Sequence, residues 1–334
     1  MREKFLYMMN SIFSISLIKF FRIYIINNLI EISISILFFD RKILYSEIIK
    51  KSKLNKNNYK MDEIQNNYLS ELNTFLEKID LNYYKKKAND KMLSMKNNRE
   101  LGFSFNLYEM LNESEKIELL EIALSDKILD NAINYFKFLP FLTGIQLAYN
   151  IPRIELSQEG SKCWHRDGNV LKEFDVFTIL SEVDNNSGPF FFIPNDIIKN
   201  HEIIRETKKI DYNDLEWNRK RISDDEMNKY VNNDCQVQFT GNSGDTVMLD
   251  ASRTYHKGGF CKKNDRLMFR CYYGLKGTVI KDNMILGISL NNDYFNTIIN
   301  DNKKYNLLCH SRNKLRDYFV DIIYLIDKLT KSIK

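Results

Sequence analysis

Two hydrophobic periods divide this chain. Over residues 61–80 the apolar positions Ile64, Tyr68, Leu69, Leu72, Phe75, Leu76 and Ile79 recur near helical spacing and predict an amphipathic helix. The pattern returns over 114–136, where Ser114 is the expected N-cap and Glu115 and Glu118 fall in the opening turns. Between residues 144 and 274 the period shortens to strand-like runs rich in Val, Ile, Phe, Thr and Tyr, with turns between them. A last helical stretch is predicted over 313–334, ending in a basic tail.

Glycine and proline respect the same division. All 12 glycines lie from Gly102 onward, and all 4 prolines between Pro140 and Pro194. Residues 1–101 therefore lack the usual turn punctuation and read as helical or loosely ordered, whereas the middle of the chain reads as sheet. The expected fold class is mainly β with flanking helices. No internal repeat is visible.

Composition adds bounds rather than identity. Apolar residues make up 44% of the 334, enough for a sizeable core in an enzyme-sized unit. Lys and Arg number 49 against 44 acidic residues, and the two signs are interspersed, so no nucleic-acid partner is expected. The five cysteines are odd in number and show no CxxC spacing, which argues for a reducing compartment and against a disulfide frame or a cysteine zinc site. The expected localisation is cytoplasmic. Residues 5–39 are conspicuously apolar, but Lys19, Arg22 and Glu31 break them below the length of a membrane span. The expectation there is helices packed on the core, with no membrane span; peripheral membrane association is the second reading.

The candidate chemistry rests on few residues. The chain has four histidines: His165, His201, His256 and His310. His165 and Asp167 are two apart in a strand-like segment, so both point to one face and can grip one ion. His256, in the distant segment Tyr255-His256-Lys257-Gly258-Gly259, supplies a second imidazole. Two nitrogens and one carboxylate suit non-haem Fe(II) and leave coordination positions open. Arg266, ten residues past His256, stands on a strand after the last ligand, placed to hold a carboxylate with a bidentate fork. His201 and His310 sit in polar contexts that offer no such partners.

The segments GIQLAYNIPR, WHRDGN, FTILSEVDNNSGPFFFIPN, GNSGDTVMLDASRTYHKGG and DRLMFRCYYG, in this order between Gly144 and Gly274, resemble the phytanoyl-CoA dioxygenase-like branch of the Fe(II)/2-oxoglutarate-dependent oxygenases. The resemblance implies a double-stranded β-helix (jelly-roll, cupin-like) core over 101–290, with a lid insertion at 195–235. A helical N-terminal extension over 1–100 and a C-terminal helical segment over 291–334 would flank it. It also implies Fe(II) held by His165, Asp167 and His256, with 2-oxoglutarate as cosubstrate and O2. The implied reaction is hydroxylation of a small organic substrate with release of succinate and CO2. Related halogenases lack the carboxylate at the position of Asp167, so its presence favours hydroxylation.

The arginine departs from the family pattern. Relatives often carry it in an Arg-Pro-x-Arg setting, whereas here Arg266 and Arg270 share one strand face and both are in line for 2-oxoglutarate. Arg266 is nearer the family spacing. Thr178 and Tyr149, on neighbouring strands, are the further residues expected in the cosubstrate pocket.

In the charged insertion, Arg205, Lys208, Lys209, Arg219, Lys220 and Arg221 surround Trp217. They read either as contacts for an anionic substrate or as a solvated helical face balanced by neighbouring acids. Two readings of another class stay open. One is a catalytically silent cupin-like ligand-binding barrel, against which the complete triad argues. The other is a peripheral membrane or assembly protein that uses residues 1–40.

Overall fold

Alternation of side chains across paired strands builds two facing β layers in this protein. The computed structural model describes residues 27–39, 41–43, 61–94, 104–152, 160–167, 172–195, 197, 221–276, 284–298, 319–320 and 322–323. The chain divides into two compact units, residues 1–52 with 311–334, and residues 53–310. The first unit holds α1 (Asn27–Leu37). Its Ile30 and Ile34 are buried on one stripe, while Leu29, Ile32 and Ile36 are exposed. No helix among the described residues is long and apolar enough to cross a membrane.

The second unit runs β1 (Ile64–Gln65), α2 (Glu71–Lys78), α3 (Leu81–Ser94), β2 (Phe105–Asn106), α4 (Glu113–Ala123), α5 (Asp126–Phe136), β3 (Phe141–Asn150), β4 (Glu173–Ile179), β5 (Phe190–Ile193), β6 (Val237–Phe239), β7 (Thr246–Leu249), β8 (Tyr255–Gly258) and β9 (Arg266–Gly274). The larger sheet has the order β1-β7-β4-β9-β3-β2 and the smaller β6-β5-β8. The pairings within both are antiparallel. The architecture is sheet-rich with flanking helices.

Register decides which side chains face the second layer. Arg270 stands opposite Gln146 and Phe177, Met268 opposite Ala148 and Ile179, and Arg266 opposite Asn150. Phe177 and Asp175 in turn stand opposite Val247 and Leu249. Partners in an antiparallel ladder share a face, so these residues line the interior. There Phe177, Ile179, Val247, Leu249 and Met268 meet Phe190, Phe192 and Phe239 from the smaller sheet in one buried core. The alternate residues of the larger sheet face the helices instead. Tyr273 donates its hydroxyl to the carbonyl of Ala123, and the Phe174 ring lies 5.9 Å from that of Tyr135 on α5.

The helices differ from the sequence expectation in ways that have local causes. The stretch 61–80 is helical only in α2; Ile64 is instead taken into β1 opposite Val247. Leu69, Leu72, Phe75 and Ile79 are buried as the periodicity requires. The stretch 114–136 is two helices, because Leu124 and Ser125 leave helical geometry and α5 restarts with Ser125 as its N-cap. The N-cap of α4 is Asn112, not Ser114. Asn112 accepts from the Glu115 backbone N–H, and Glu115 returns a bond to the Asn112 N–H. Ser114 turns its hydroxyl onto Asn112 Oδ1 instead. Most of 313–334, and residues 198–220 of the charged insertion, lie outside the described residues, as do His201 and His310.

Candidate metal centre

His165 and His256 exchange both backbone hydrogen bonds, each at 2.9 Å, as an isolated antiparallel bridge. A hydrogen-bonded pair presents both side chains on the same face, and the two imidazole centroids lie 4.4 Å apart. His256 also stands opposite Phe192 on β5, so its ring projects into the interior with Phe190 and Phe192. Two residues on from His165, the Asp167 backbone N–H donates to Ala251 O at 2.7 Å, which brings its carboxylate back under both rings. Asp167 Oδ1 lies 3.7 Å from His165 Nε2 and 3.6 Å from His256 Nε2. The ligand atoms of all three residues fall within 4.8 Å of one another.

Hydrogen bonds set which nitrogen of each ring is available. Nδ1 of His165 lies 2.8 Å from the carbonyl of Cys163, and Nδ1 of His256 lies 3.0 Å from that of Thr254. A carbonyl only accepts, so each Nδ1 carries the proton and each Nε2 keeps a lone pair directed at the shared point. Burial, followed by the neighbouring His256, pulls His165 down to about 3, which keeps it neutral across the physiological range. Asp167 behaves oppositely. Burial alone would raise it, but His256, Arg270 and His165 together hold it well below the usual carboxylate range. Two imidazoles that present Nε2 and one ionised carboxylate are the donor set of a divalent transition metal, and donors this close need only a small closure to reach an ion at about 2 Å. The residues present fit such an ion.

The two arginines of β9 divide at this point. Arg270 donates from Nη2 to Asp167 Oδ2 at 2.9 Å and from Nε to Asp175 Oδ1 at 2.7 Å, and its Nη2 also bonds Asp175. Asp175 is fully buried. Its other oxygen accepts from Ala251 N at 3.3 Å, and Ala251 O holds the Asp167 amide, so the acid braces the loop that carries the ligand. Glu173, on the same strand face, is pushed up to about 9 by burial and then by Asp175, and carries a proton.

Arg266 has different company. It is buried, donates from Nη1 to Gly188 O and from Nη2 to Asn150 Oδ1 at 3.1 Å, and has no partner for Nε among the described residues. No carboxylate pairs with it there, and burial works against its charge. Gly188 sits at φ +68°, and an added Cβ would come within 2.6 Å of the Phe260 backbone, so only glycine presents this carbonyl to the guanidinium.

Thr178 and Tyr149 are not brought to this face. Thr178 stands opposite Phe269 and shares a hydrogen bond of 2.9 Å with Thr246 on the helix-covered side. Tyr149 stands opposite Leu267, with Lys85 of α3 over its ring at 5.2 Å. Arg221, the one of those six insertion cations that lies among the described residues, is exposed and donates to Gly160 O. Lys162, Asp175 and Glu173 were not anticipated from sequence. The signal for the last two is a pair of acids inside the otherwise apolar strand run EFDVFTI.

No family model matches the chain, and no curated protein sequence does. Among solved structures, EvdO2 from Micromonospora carbonacea var. aurantiaca is similar over 49% of this chain at 19% identity and a TM-score of 0.31. HygX from Streptomyces hygroscopicus, with nickel and 2-oxoglutarate bound, is similar over 51% of this chain and 68% of its own at 11% identity and a TM-score of 0.33. The non-heme alpha ketoglutarate dependent carbocyclase SnoK from nogalamycin biosynthesis is similar over 58% of this chain and 69% of its own at 12% identity and a TM-score of 0.36. The match to EvdO2 spans 65% of that chain. The functional reading therefore stands on the geometry of the site.

Proposed function

We propose that this protein is an Fe(II)/2-oxoglutarate-dependent dioxygenase on a double-stranded β-helix, hydroxylating a small organic substrate with release of succinate and CO2. The observation that carries it is the pairing of a converged His165–Asp167–His256 donor set with a buried arginine, Arg266, that no carboxylate pairs among the described residues, on the same interior face. Three protein donors leave half of an octahedral shell open. Iron, 2-oxoglutarate and O2, when bound, supply oxidative decarboxylation of the 2-oxo acid and oxidation of a substrate C–H bond.

The protein's own part is to bind, orient and exclude water. His165 and His256 present Nε2 because Cys163 O and Thr254 O hold their Nδ1 protons. Arg270 engages Asp167 Oδ2, which leaves Oδ1 as the ligand oxygen and keeps the carboxylate ionised. Arg266 is suited to the distal carboxylate of 2-oxoglutarate, since a buried guanidinium that meets no carboxylate among the described residues is costly and its remaining donors match a planar acid. Phe177, Phe190, Phe192 and Met268 form an apolar wall beside the ligands. Cytoplasmic placement and the small-molecule substrate belong to the same reading.

The test is succinate release by protein loaded with Fe(II) without oxygen and then given 2-oxoglutarate and air. Turnover that disappears in Asp167→Ala, with the fold retained by circular dichroism, is the expected result. Equal succinate release from that variant would reject the reading, and metal binding with no 2-oxoglutarate turnover would favour a silent ligand-binding barrel.

A further inference from the structure

We infer that the exposed apolar stripe of α1, together with the positive charge of its unit, docks this protein on the surface of an anionic phospholipid bilayer. The stripe and the candidate metal centre belong to different units, so this reading and the function proposed above can fail separately.

The helix is apolar on two opposite faces. Ile30, Ile34 and Phe38 are buried on one of them. On the other, Leu29, Ile32, Ile36 and Phe39 are between 53% and 69% exposed, and Ile43 continues their line at 47%. Helical bonding carries the stripe past Leu37: the Phe38 N–H donates to Ile34 O and the Lys42 N–H to Phe38 O, each at 3.0 Å. At about 100° per residue these positions fall within about 80° of the helix circumference, centred opposite the buried stripe. From Leu29 to Ile43, at about 1.5 Å per residue, they make a ridge about 21 Å long. Polar residues bound it, Ser33 on one flank and on the other Ser35, whose Oγ accepts from Lys42 Nζ. Single exposed hydrophobics are ordinary on a protein surface; a contiguous row is not. Five of the eight large hydrophobics exposed among the described residues lie on this one stripe.

Charge selects the occupant. The 76 residues of this unit, 1–52 and 311–334, carry 14 Lys and Arg against 7 Asp and Glu. That surplus of seven exceeds the +5 of the whole chain, so the unit that holds the metal centre is slightly acidic. A second copy seated on the stripe would bring two such surpluses together. An anionic bilayer instead attracts the cations, and it takes an apolar ridge without needing a matching groove, as it does with interfacial helices. Lys42, a long cation lying along the edge of the stripe, suits the headgroup level above it.

The test is sedimentation of the full chain with sucrose-loaded vesicles, of phosphatidylcholine alone and of phosphatidylcholine mixed with an equal amount of phosphatidylglycerol. The native protein should pellet with the mixed vesicles and stay in solution with phosphatidylcholine alone. Raising NaCl from about 0.1 M to about 1 M shortens the Debye length from about 10 Å to about 3 Å and should release most of it. Ile36→Asn combined with Phe39→Asn should weaken the affinity by about tenfold or more, with the thermal midpoint unchanged. Phe39→Trp keeps the apolar bulk; it should bind like the native protein and shift its emission to the blue when mixed vesicles are added. No pelleting by the native protein, equal pelleting with both vesicles, or equal pelleting of the double variant would each overturn the proposal. So would a dimer, seen by light scattering, that the double variant dissolves without a change in pelleting, since the stripe then meets a second copy. A fall in the double variant's thermal midpoint with pelleting unchanged would likewise overturn it, by assigning the stripe to the chain's own packing.

Discussion

Arg270 and Asp167 are joined by a 2.9 Å hydrogen bond from Nη2 to Oδ2, so one oxygen of the candidate metal ligand is already committed to the protein. The same guanidinium neutralises the fully buried Asp175. Burial by itself would discharge Arg270, but Asp175 and Asp167 outweigh it and hold it firmly protonated. One side chain therefore orients the ligand and offsets the cost of the acid behind it.

Removing that side chain should show both effects. Arg270→Met strands Asp175 without its cation, and breaking a buried pair in this way costs about 3–5 kcal/mol. Asp167 also loses the bond that fixes its orientation, and metal affinity should fall by about 10–100-fold. Urea denaturation and Fe(II) titration without oxygen measure the two separately. Unchanged stability and affinity would mean that the network is ornamental.

Arg266→Lys keeps a charge but loses the planar fork. The expected outcome is a rise of about tenfold or more in the 2-oxoglutarate concentration required, with Fe(II) affinity retained, because Arg266 bonds Gly188 and Asn150 rather than the triad. Arg270→Lys should instead weaken the metal. If the two phenotypes exchange, the carboxylate anchor moves four residues along β9.

These two arginines also show how far the chain can be read without its structure. Their shared face follows from strand parity alone, as does the convergence of His165 with Asp167. Their different partners do not, because Asp175 is brought opposite Tyr272 only by the β4–β9 register. Register likewise puts Thr178 and Tyr149 on the helix-covered side, a parity that neighbouring strands in sequence order do not reveal. Lys162 was hidden for another reason. A lysine in a short polar turn reads as solvated, and only the fold wraps Gly258 and Gly259 around it. In 61–80 four of the seven apolar positions (Leu69, Leu72, Phe75 and Ile79) are buried, but the helices of 61–80 and 114–136 have other ends than their periodicity gave, since ends are set by single caps and by strand pairing.

The cap of α4 offers a local test. Asn112 satisfies the Glu115 amide at 3.0 Å, so Asn112→Ala should cost about 1 kcal/mol. Ser114 donates to Asn112 without bonding any free helical amide, so Ser114→Ala should cost clearly less. Thermal unfolding of the two variants distinguishes them, and the reverse order would restore Ser114 as the cap.

The pH dependence of the metal-free protein follows from two buried groups with opposite signs. His165 is depressed in the folded state to about 3, below its ordinary 6.5. Its contribution is fully present above about 6.5 and is lost as pH falls toward 3, because the unfolded chain then binds a proton that the folded one refuses. Glu173 is raised to about 9 from an ordinary 4.5. Its contribution is present below about 4.5 and is lost as pH rises toward 9, because the unfolded chain releases a proton that the folded one keeps. Stability should therefore decline below about 4.5, whereas on the alkaline side the loss from Glu173 is opposed by Lys162, which burial pulls down to about 7 and whose contribution grows as pH rises; Glu173→Gln, which fixes the neutral form, should raise alkaline stability relative to the native protein. Urea midpoints between pH 4 and 9 for both proteins, measured with a chelator present, check this. An alkaline profile of Glu173→Gln that matches the native one would remove Glu173 from the account.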